Sequence, residues 1–382
     1  MLVFGAAGAS AQVVPWDVWQ KVLSFNSKPS ADTLSVPNIA VMLPLEGGAE
    51  ANSSFVDFWQ GGLLALEDLK SEGHSANVTL YNTARSAYRV QDVVWSLGDV
   101  DLIIGPVYED AMAPAVQYAD THGVPIVSPL ATIRELDSPM LYQMAPDPAT
   151  KYDKIKGEFT VGKNIILVSS GEGDDPEFEA EIIEQLGGNA YGRFTIGAGG
   201  GDLSTLIDWE RENIFVVLAG SEIGVDRALA SISTAYNNAS ARHSRRAYIE
   251  VIGSHRWAQY NSNLLDKTLF FKLNVSFVTS YYIDRSAAAV ARFEARFLEN
   301  FGAFPSRSAY RGYDAVKLFG GALFEDGGLF ESASSFAEKL ARVNPAPLQM
   351  PYLFEQQGWS VRHTNTQWAL VCFRSDYKIE VF

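Results

Sequence analysis

The sequence predicts an α/β protein of two lobes, each a mainly parallel sheet flanked by helices. Three observations lead to this fold class. The chain has 382 residues, which is longer than a single hydrophobic core normally grows. From Asn38 onward, apolar runs of strand length alternate with longer segments of helical period, and this alternation is typical of βαβ units. Hydrophobic residues make up 47% of the chain and charged residues 20%, enough to fill two cores inside an ordinary soluble surface.

The first 37 residues are predicted to lie outside the two lobes. Residues 1–11, MLVFGAAGASA, have the small residues Ala9 and Ala11 before a polar Gln12, as at a signal-peptide cleavage site, although a frayed strand is the alternative. Residues 12–37 contain an amphipathic helix, PWDVWQKVLSF, and a polar linker. We therefore expect an exported, periplasmic and soluble protein, since no other apolar run is long enough to cross a bilayer.

Eight apolar runs are predicted as strands: IAVML, VTLYN, DLIIG, VPIVS, NIILVSS, IFVVLAG, YIEVIGS and SFVTSYY. A stripe from Phe55 to Leu69 predicts a helix that is capped near Ser54. Gly61 and Gly62 lie inside this helix, and because glycine weakens a helix they predict a backbone lying close against the sheet. A second apolar stripe predicts a helix over 290–301 that ends at a glycine.

Charge and motifs exclude several functions. The net charge of -15 repels phosphate, so no nucleic acid is expected as a partner. Residues 157–164 read GxxxxGK but end in Asn164, where a phosphate loop needs a hydroxyl, and a strand follows them; a helix-to-strand turn is predicted instead. The glycine run 197–201 fails the GxGxxG spacing, so it predicts a flexible loop.

No catalytic constellation is present in the sequence. There is no HExxH, no GxSxG and no cysteine pair, and the five histidines are scattered. The single cysteine, Cys372, lies in the apolar run WALVCF, which predicts a buried core thiol rather than a nucleophile. We therefore expect no enzyme activity, no cofactor and no metal site.

Candidate binding residues follow the predicted strands, because ligands of open α/β sheets lie beyond the carboxyl ends of the strands. The aromatic members of this set could instead fill core or hinge space, so Glu109 and Thr132 are the strongest candidates. The full set is Leu45, Glu46, Tyr108, Glu109, Leu130, Ala131, Thr132, Glu172, Glu222, His255, Trp257 and Tyr281.

An ordered series of blocks gives a family resemblance. The series IAVMLPLEG, DLIIGPVYED, HGVPIVSPLATIRELD and FVTSYYIDRS resembles the type I periplasmic solute-binding proteins, particularly the branched-chain amino-acid-binding branch, over residues 38–382. The resemblance implies a Venus flytrap fold whose lobes close by hinge bending on a small polar solute. It also implies ABC-type uptake, with a membrane permease as partner.

The resemblance also implies domain boundaries. Matching blocks assign residues 38–147 and 284–343 to lobe 1, and residues 148–280 and 350–382 to lobe 2. The chain crossings are expected near 144–146, 281–282 and 345–351, where prolines and strand ends can absorb a change in backbone angle.

Departures from the family pattern bear on the ligand. The family offers serine hydroxyls to a ligand carboxylate where this chain has Glu109, and Leu130 is bulkier than the usual small residue. Together with Glu46, Glu172 and Asp174, Glu109 predicts an acidic cleft. An acidic cleft favours a cationic or polyhydroxy ligand, or no small ligand at all; the small polar solute is thus expected to be an amino acid or a cationic compound.

The LPL triplet after the first strand supports a second function class. It is similar to the C-terminal domain of the outer-membrane lipoprotein activators of penicillin-binding proteins. This similarity implies a protein-interaction or regulatory module at the cell wall, with a cell-wall synthesis protein as partner and no small-molecule ligand. One fold hosts both kinds of protein, so the fold alone does not decide between them. We rank solute capture first and the interaction module second.

Overall fold

The computed structural model describes residues 36–45, 49–171, 173–197, 202–243, 246–260, 265–325, 333–343 and 347–382. The chain divides into two compact units. In the described part, unit 1 comprises residues 36–147 and Ile283–Thr366, and unit 2 comprises Pro148–Tyr282 and Gln367–Phe382. The predicted signal-peptide remnant, the N-terminal helix and most of the glycine run 197–201 lie outside the described residues.

The described strands and helices alternate along most of the chain. In chain order the strands are β1 (Asn38–Leu43), β2 (Asn77–Asn82), β3 (Leu102–Ile104), β4 (Ile126–Ser128), β5 (Leu141–Gln143), β6 (Asn164–Ser169), β7 (Gly192–Thr195), β8 (Asn213–Val217), β9 (Ile249–Gly253), β10 (Val275–Thr279), β11 (Phe354–Glu355), β12 (His363–Asn365), β13 (Ala369–Phe373) and β14 (Ile379–Val381). The helices are α1 (Ala49–Ser71), α2 (Ala87–Ser96), α3 (Glu109–His122), α4 (Pro176–Leu186), α5 (Glu222–His243), α6 (Lys267–Lys272), α7 (Ala288–Phe301), α8 (Arg307–Ala315) and α9 (Ala333–Arg342).

Each unit contains one seven-stranded sheet. The strand order is β11-β12-β5-β4-β3-β1-β2 in unit 1 and β14-β13-β10-β9-β8-β6-β7 in unit 2. Strands β1 to β5 pair in parallel, as do β6 to β10. The predicted fold class, two mainly parallel sheets flanked by helices, is therefore confirmed.

Burial on both sheet faces explains why the central strands are continuous apolar runs. In β1, Ile39 and Val41 belong to the core beneath one face of the sheet, whereas Ala40 and Met42 belong to the core beneath the other. A parallel sheet covered by helices on both sides requires such a sequence. All eight predicted strands are present, and the short strands β5, β7 and β11 to β14 were not predicted.

Two glycines allow helices α1 and α8 of unit 1 to pack in direct backbone contact. A Cβ atom on Gly61 would lie 1.8 Å from the carbonyl oxygen of Ala309, and a Cβ atom on Gly312 would lie 1.8 Å from that of Phe58. The predicted close approach at Gly61 is therefore real, but its partner is a helix rather than the sheet. Helix α1 also begins at Ala49, so the predicted cap near Ser54 is wrong.

Other local predictions agree with the structure. Helix α7 ends at Gly302, whose φ of 71° is in the left-handed region that favours glycine. Residues 157–164 form the end of a 3-10 helix, a turn and the start of β6, as a helix-to-strand turn requires. Cys372 is buried, and burial raises the pKa of its thiol to about 11.

One boundary differs from the expected division of the chain. Residues 350–366 were expected in lobe 2 but lie in unit 1, because β12 pairs in parallel with β5 and β11 pairs with β12. The third crossing consequently falls between Thr366 and Gln367 rather than near 345–351. These pairings could not be predicted from the apolar runs, since β11 has only two residues and β12 only three.

Each unit also buries a carboxylate away from the strand ends. In unit 1, Asp314 accepts hydrogen bonds from the backbone N–H groups of Leu348 (2.7 Å) and Gln349 (3.2 Å) and from the Tyr352 hydroxyl. Burial raises its pKa to about 6, although those bonds and Arg311 oppose the rise. In unit 2, Glu250 accepts from Ser276 Oγ at 2.8 Å, and burial raises its pKa as well.

Candidate functional site

The carboxyl edge of the unit 1 sheet collects the loops that follow β1, β2, β3 and β4. Leu45, after β1, is half-buried, and its N–H donates to Oδ1 of Asn82 at 3.0 Å. The same oxygen accepts the N–H of Ala84 at 3.0 Å. One amide side chain thus joins the loop after β1 to the loop after β2. The next candidate in sequence, Glu46, lies outside the described residues.

Tyr108 stands at the start of α3, directly after β3. Its ring meets the edge of Phe55 at a centroid distance of 6.1 Å. The guanidinium of Arg85 lies over the Tyr108 ring, 4.2 Å from its centroid. Arg85 follows β2 and was not among the predicted site residues, because a polar turn of the composition TARS carries no binding motif.

Glu109 holds a loop in place and is not a free carboxylate. Its Oε1 accepts the backbone N–H groups of Arg134 (2.8 Å), Glu135 (2.7 Å) and Leu136 (3.2 Å). Burial by itself would raise the pKa of Glu109, but these hydrogen bonds and the charge of Arg362 lower it. The predicted role of Glu109 in ligand binding therefore has a competing structural explanation, since one of its two carboxylate oxygens is already occupied.

Leu130, Ala131 and Thr132 form the loop after β4. Ser128 Oγ donates to the carbonyl oxygen of Ala131 at 3.1 Å, which fixes the turn. Thr132 is exposed, and its hydroxyl makes no hydrogen bond with the part of the chain that the structure describes. Among the predicted residues of unit 1, Thr132 therefore has the polar group most available to a ligand.

The carboxyl edge of the unit 2 sheet carries four described candidates. Glu222 begins α5 after β8, His255 and Trp257 lie in a 3-10 helix after β9, and Tyr281 follows β10. The backbone of Tyr281 is tied to Thr279 Oγ1, which accepts its N–H at 3.3 Å. Glu172, the remaining candidate of this edge, lies outside the described residues.

His255 and Trp257 differ from the exposed candidates, because Trp257 is buried and His255 is half-buried. Trp257 is 3% exposed; its ring lies over Gly253, where a Cβ would come within 2.4 Å of it. Burial and the charge of Lys151 lower the pKa of His255. Trp257 Nε1 and His255 Nδ1 have no hydrogen-bond partner among the described residues. Packing against Gly253 explains the position of the Trp257 ring. The two nitrogens without a partner are polar groups of this edge that could bind a ligand.

The predicted acidic character of the strand ends is weakened in both units. Asp174 accepts from Ser170 N at 2.9 Å and Ser170 Oγ at 2.7 Å, and also from Ser169 Oγ, so it closes the loop after β6. Asp174 and Glu109 are therefore both engaged in holding loops. With Glu46 and Glu172 outside the described residues, the described strand ends do not support the argument for a cationic ligand.

The described chain also contains a cavity that is separate from the predicted site residues. A cavity of about 450 Å³ in unit 1 is lined by residues that include Tyr142, Asp314, Tyr352 and His363, and none of the predicted site residues lines it. Across the described ranges, no cluster of three or more His, Cys, Asp or Glu side chains is arranged to hold a metal ion. In the same ranges, no helix has the length and apolar character that a membrane span needs.

Comparison with known proteins identifies the family. The family model described as "Periplasmic binding protein" matches residues 37–352, which is more than half of the chain. The chain belongs to this family. No curated protein sequence matches it.

Two solved structures of ABC transporter proteins are similar to this chain. A protein from Rhodospirillum rubrum, assigned to a branched-chain amino acid ABC transporter, is 17% identical over 91% of this chain and 100% of its own, with a TM-score of 0.61. An ABC transporter substrate-binding protein from Desulfitobacterium hafniense is 16% identical over 91% of this chain and 100% of its own, with a TM-score of 0.50.

A third similar structure is that of a longer protein. Full-length LpoA from Haemophilus influenzae is 12% identical over 92% of this chain and 60% of its own, with a TM-score of 0.53. At such identities, the likeness to all three structures concerns the fold alone. The chain thus has the fold of the type I periplasmic binding proteins.

Proposed function

We propose that this chain is an exported, non-enzymatic solute-binding protein that captures a small polar solute and delivers it to an ABC-type membrane permease. Membership of the periplasmic binding protein family is the observation that carries the proposal. The strand-end loops add support, because in each unit they present side chains at the edge where parallel α/β sheets bind ligands. In unit 1 these include the exposed Thr132 and the stacked pair Arg85 and Tyr108.

Capture of the solute is proposed to shift a conformational equilibrium. A ligand that contacts the strand ends of both units favours a closed state only through contacts that the open state lacks. The chain passes between the units near Asp147, Tyr282 and Thr366, and these passages are where the change in backbone angle would be absorbed.

A thermal-shift screen of the purified protein tests this proposal. The screen contains amino acids, polyamines, sugars and cell-wall fragments, each with a concentration series. A true ligand at a hundred times its Kd adds about 2.7 kcal/mol to the free energy of unfolding, so at least one class of compound should raise Tm with saturation. Absence of any saturable shift, repeated by calorimetry, would contradict solute capture.

A second function is favoured by one observation, the fold shared with full-length LpoA. In this case the chain would act as a protein-interaction or regulatory module at the cell wall. No compound of the screen would then stabilise it, and purified cell-wall synthesis proteins would be retained on the immobilised chain. A matched column carrying the chain unfolded in urea and rinsed distinguishes specific retention from simple adsorption.

A further inference from the structure

Arg85 is displayed by a turn that is fixed on both sides. The turn follows β2, and Ala84 and Arg85 both have positive φ angles, 46° and 51°. This left-handed conformation is uncommon for residues other than glycine, and it clusters at functional sites when the surroundings enforce it. Here Asn82 Oδ1 accepts the N–H of Ala84, and the N–H of Ser86 donates to Thr83 O at 2.9 Å. The backbone beneath Arg85 is therefore held in place.

The side chain of Arg85 is positioned by an aromatic surface and not by an acid. Its guanidinium lies 4.2 Å from the centroid of Tyr108, and Tyr108 is in turn supported by the edge of Phe55. Within the described ranges the guanidinium makes no ion pair and no hydrogen bond. By contrast, Arg296 of the same unit pairs with Glu67 and Asp68. The contact with the aromatic ring uses none of the N–H groups of the Arg85 guanidinium. Because Arg85 is exposed, those N–H groups can reach a ligand.

The acid that adjoins Tyr108 in the chain does not neutralise Arg85. Glu109 accepts three backbone N–H groups, and within the described ranges it forms no ion pair with Arg85. The positive charge of Arg85 is therefore not cancelled by this carboxylate. It stands at the carboxyl edge of the unit 1 sheet, beside the loop of Leu45.

We infer that Arg85, which lies over the ring of Tyr108, is the residue that recognises an anionic group of the solute, such as a carboxylate. A guanidinium presents parallel N–H donors that match the two oxygens of a carboxylate, and a preoriented fork loses little side-chain entropy on binding. This inference rests on the proposed solute-binding function and gives the ligand a charge class. It also replaces the sequence-based expectation of a cationic ligand.

The test uses pairs of compounds that have the same shape but differ in charge. The probes are L-leucine with L-leucinamide, and benzoate with benzamide; spermidine and glucose represent cationic and neutral solutes. Binding to the full chain is measured by calorimetry for the wild type and for Arg85→Gln. The control variant is Arg89→Gln, which removes the same charge from an exposed residue one helical turn away on α2.

The expected result is that a carboxylate binds and its amide does not. Arg85→Gln should weaken carboxylate binding about tenfold or more, the scale of a lost charged hydrogen bond, whereas Arg89→Gln should change it less than twofold. Arg85→Lys should retain part of the affinity, since it keeps the charge but loses the planar fork. Tyr108→Leu should also weaken binding, because the guanidinium loses its support.

The outcomes separate this inference from the proposed function. Binding of spermidine or glucose without any carboxylate would overturn the role of Arg85 and leave solute capture standing. Equal affinities of carboxylates for Arg85→Gln and Arg89→Gln would do the same. If none of the probes and no compound of the wider screen binds the wild type, solute capture itself fails.

Discussion

The two units share one strand order and differ in how the last hairpin joins it. Read from the opposite edge, unit 1 runs β2-β1-β3-β4-β5-β12-β11, and unit 2 runs β7-β6-β8-β9-β10-β13-β14. The strand that joins the parallel core is the second strand of its hairpin in unit 1 but the first in unit 2. Because hairpin strands are antiparallel, β12 is parallel to β5, whereas β13 is antiparallel to β10. A five-stranded parallel core thus accepts either direction at its edge.

The units also differ in what their buried carboxylates hold. Asp314 of unit 1 accepts two backbone N–H groups from the segment that leads to β11. Glu250 of unit 2 accepts from two side chains, Ser276 Oγ and the Tyr248 hydroxyl, and from no backbone N–H of the described ranges. We conclude that unit 1 depends on polar contacts to keep its late segment in place, whereas unit 2 secures β13 mainly through its strand pairing.

The largest expected effect concerns the helix crossing that is confined to unit 1. Gly312→Ala should lower the free energy of unfolding of unit 1 by about 3 kcal/mol, because the new methyl group would force α1 and α8 apart. Urea denaturation followed by hydrogen exchange, resolved by segment, measures the loss. Gly157→Ala in unit 2 is the control, since a Cβ there meets nothing within 4 Å. Equal stability of the two variants would refute the close crossing.

The next effect concerns the pH dependence of unit 1. Burial raises the pKa of Asp314 from 3.8 to about 6, so the folded state keeps a proton that the unfolded state loses. The stability contributed by this group is full below pH 4 and declines, by an amount on the order of 2 kcal/mol, as the pH rises to 6. Asp314→Asn should remove this decline, which urea midpoints at pH 4, 5, 6 and 7 would show.

Glu250→Gln provides the corresponding comparison for unit 2. Burial raises the pKa of Glu250 too, so its contribution to stability also declines as the pH rises. The Gln variant should therefore flatten the pH dependence of stability above pH 4.5, and hydrogen exchange should show this change in unit 2 only. Parallel pH profiles for the wild type and both variants would show that neither carboxylate resists ionisation in the folded chain.

A smaller effect is expected for the loop that Glu109 holds. Its pKa is lowered in the folded state, so its contribution is present above pH 4.5 and is lost as the pH falls through the lowered pKa. Glu109→Gln should cost about 1 kcal/mol at pH 7 and almost nothing at low pH. Glu135→Gln changes an exposed acid of the same loop and should leave stability unchanged at both pH values.

The smallest effect concerns binding at the edge of unit 1. Thr132→Ala should weaken the affinity for a captured solute by about 1 kcal/mol, the scale of one hydrogen bond, as measured by calorimetry. Thr234→Ala removes a hydroxyl of unit 2 that bonds Ala230 O and should leave the affinity unchanged. Unaltered affinity for Thr132→Ala would remove that residue from the proposed site.

The central parallel strands could be predicted from the sequence because strands that are buried on both faces are continuous apolar runs. It missed the hairpins for the opposite reason: β14 is exposed at all three residues, and β11 has two. The positions of the strand-end loops followed from the same runs. The role of Glu109 in holding a loop could not be predicted, because it depends on backbone N–H groups that lie 25 to 27 residues further along the chain. Arg85 was missed because its turn adopts positive φ without a glycine or asparagine.

The pairing of Tyr142 with His363 has a consequence for synthesis on the ribosome. The first five strands of unit 1 emerge early, yet the edge of β5 remains uncovered while residues 148–282 of unit 2 are translated. The edge of β10 likewise remains unpaired until β13 has been synthesised. A nascent chain with two open sheet edges can pair with its neighbours, so protection by chaperones would matter most in the last stage of translation.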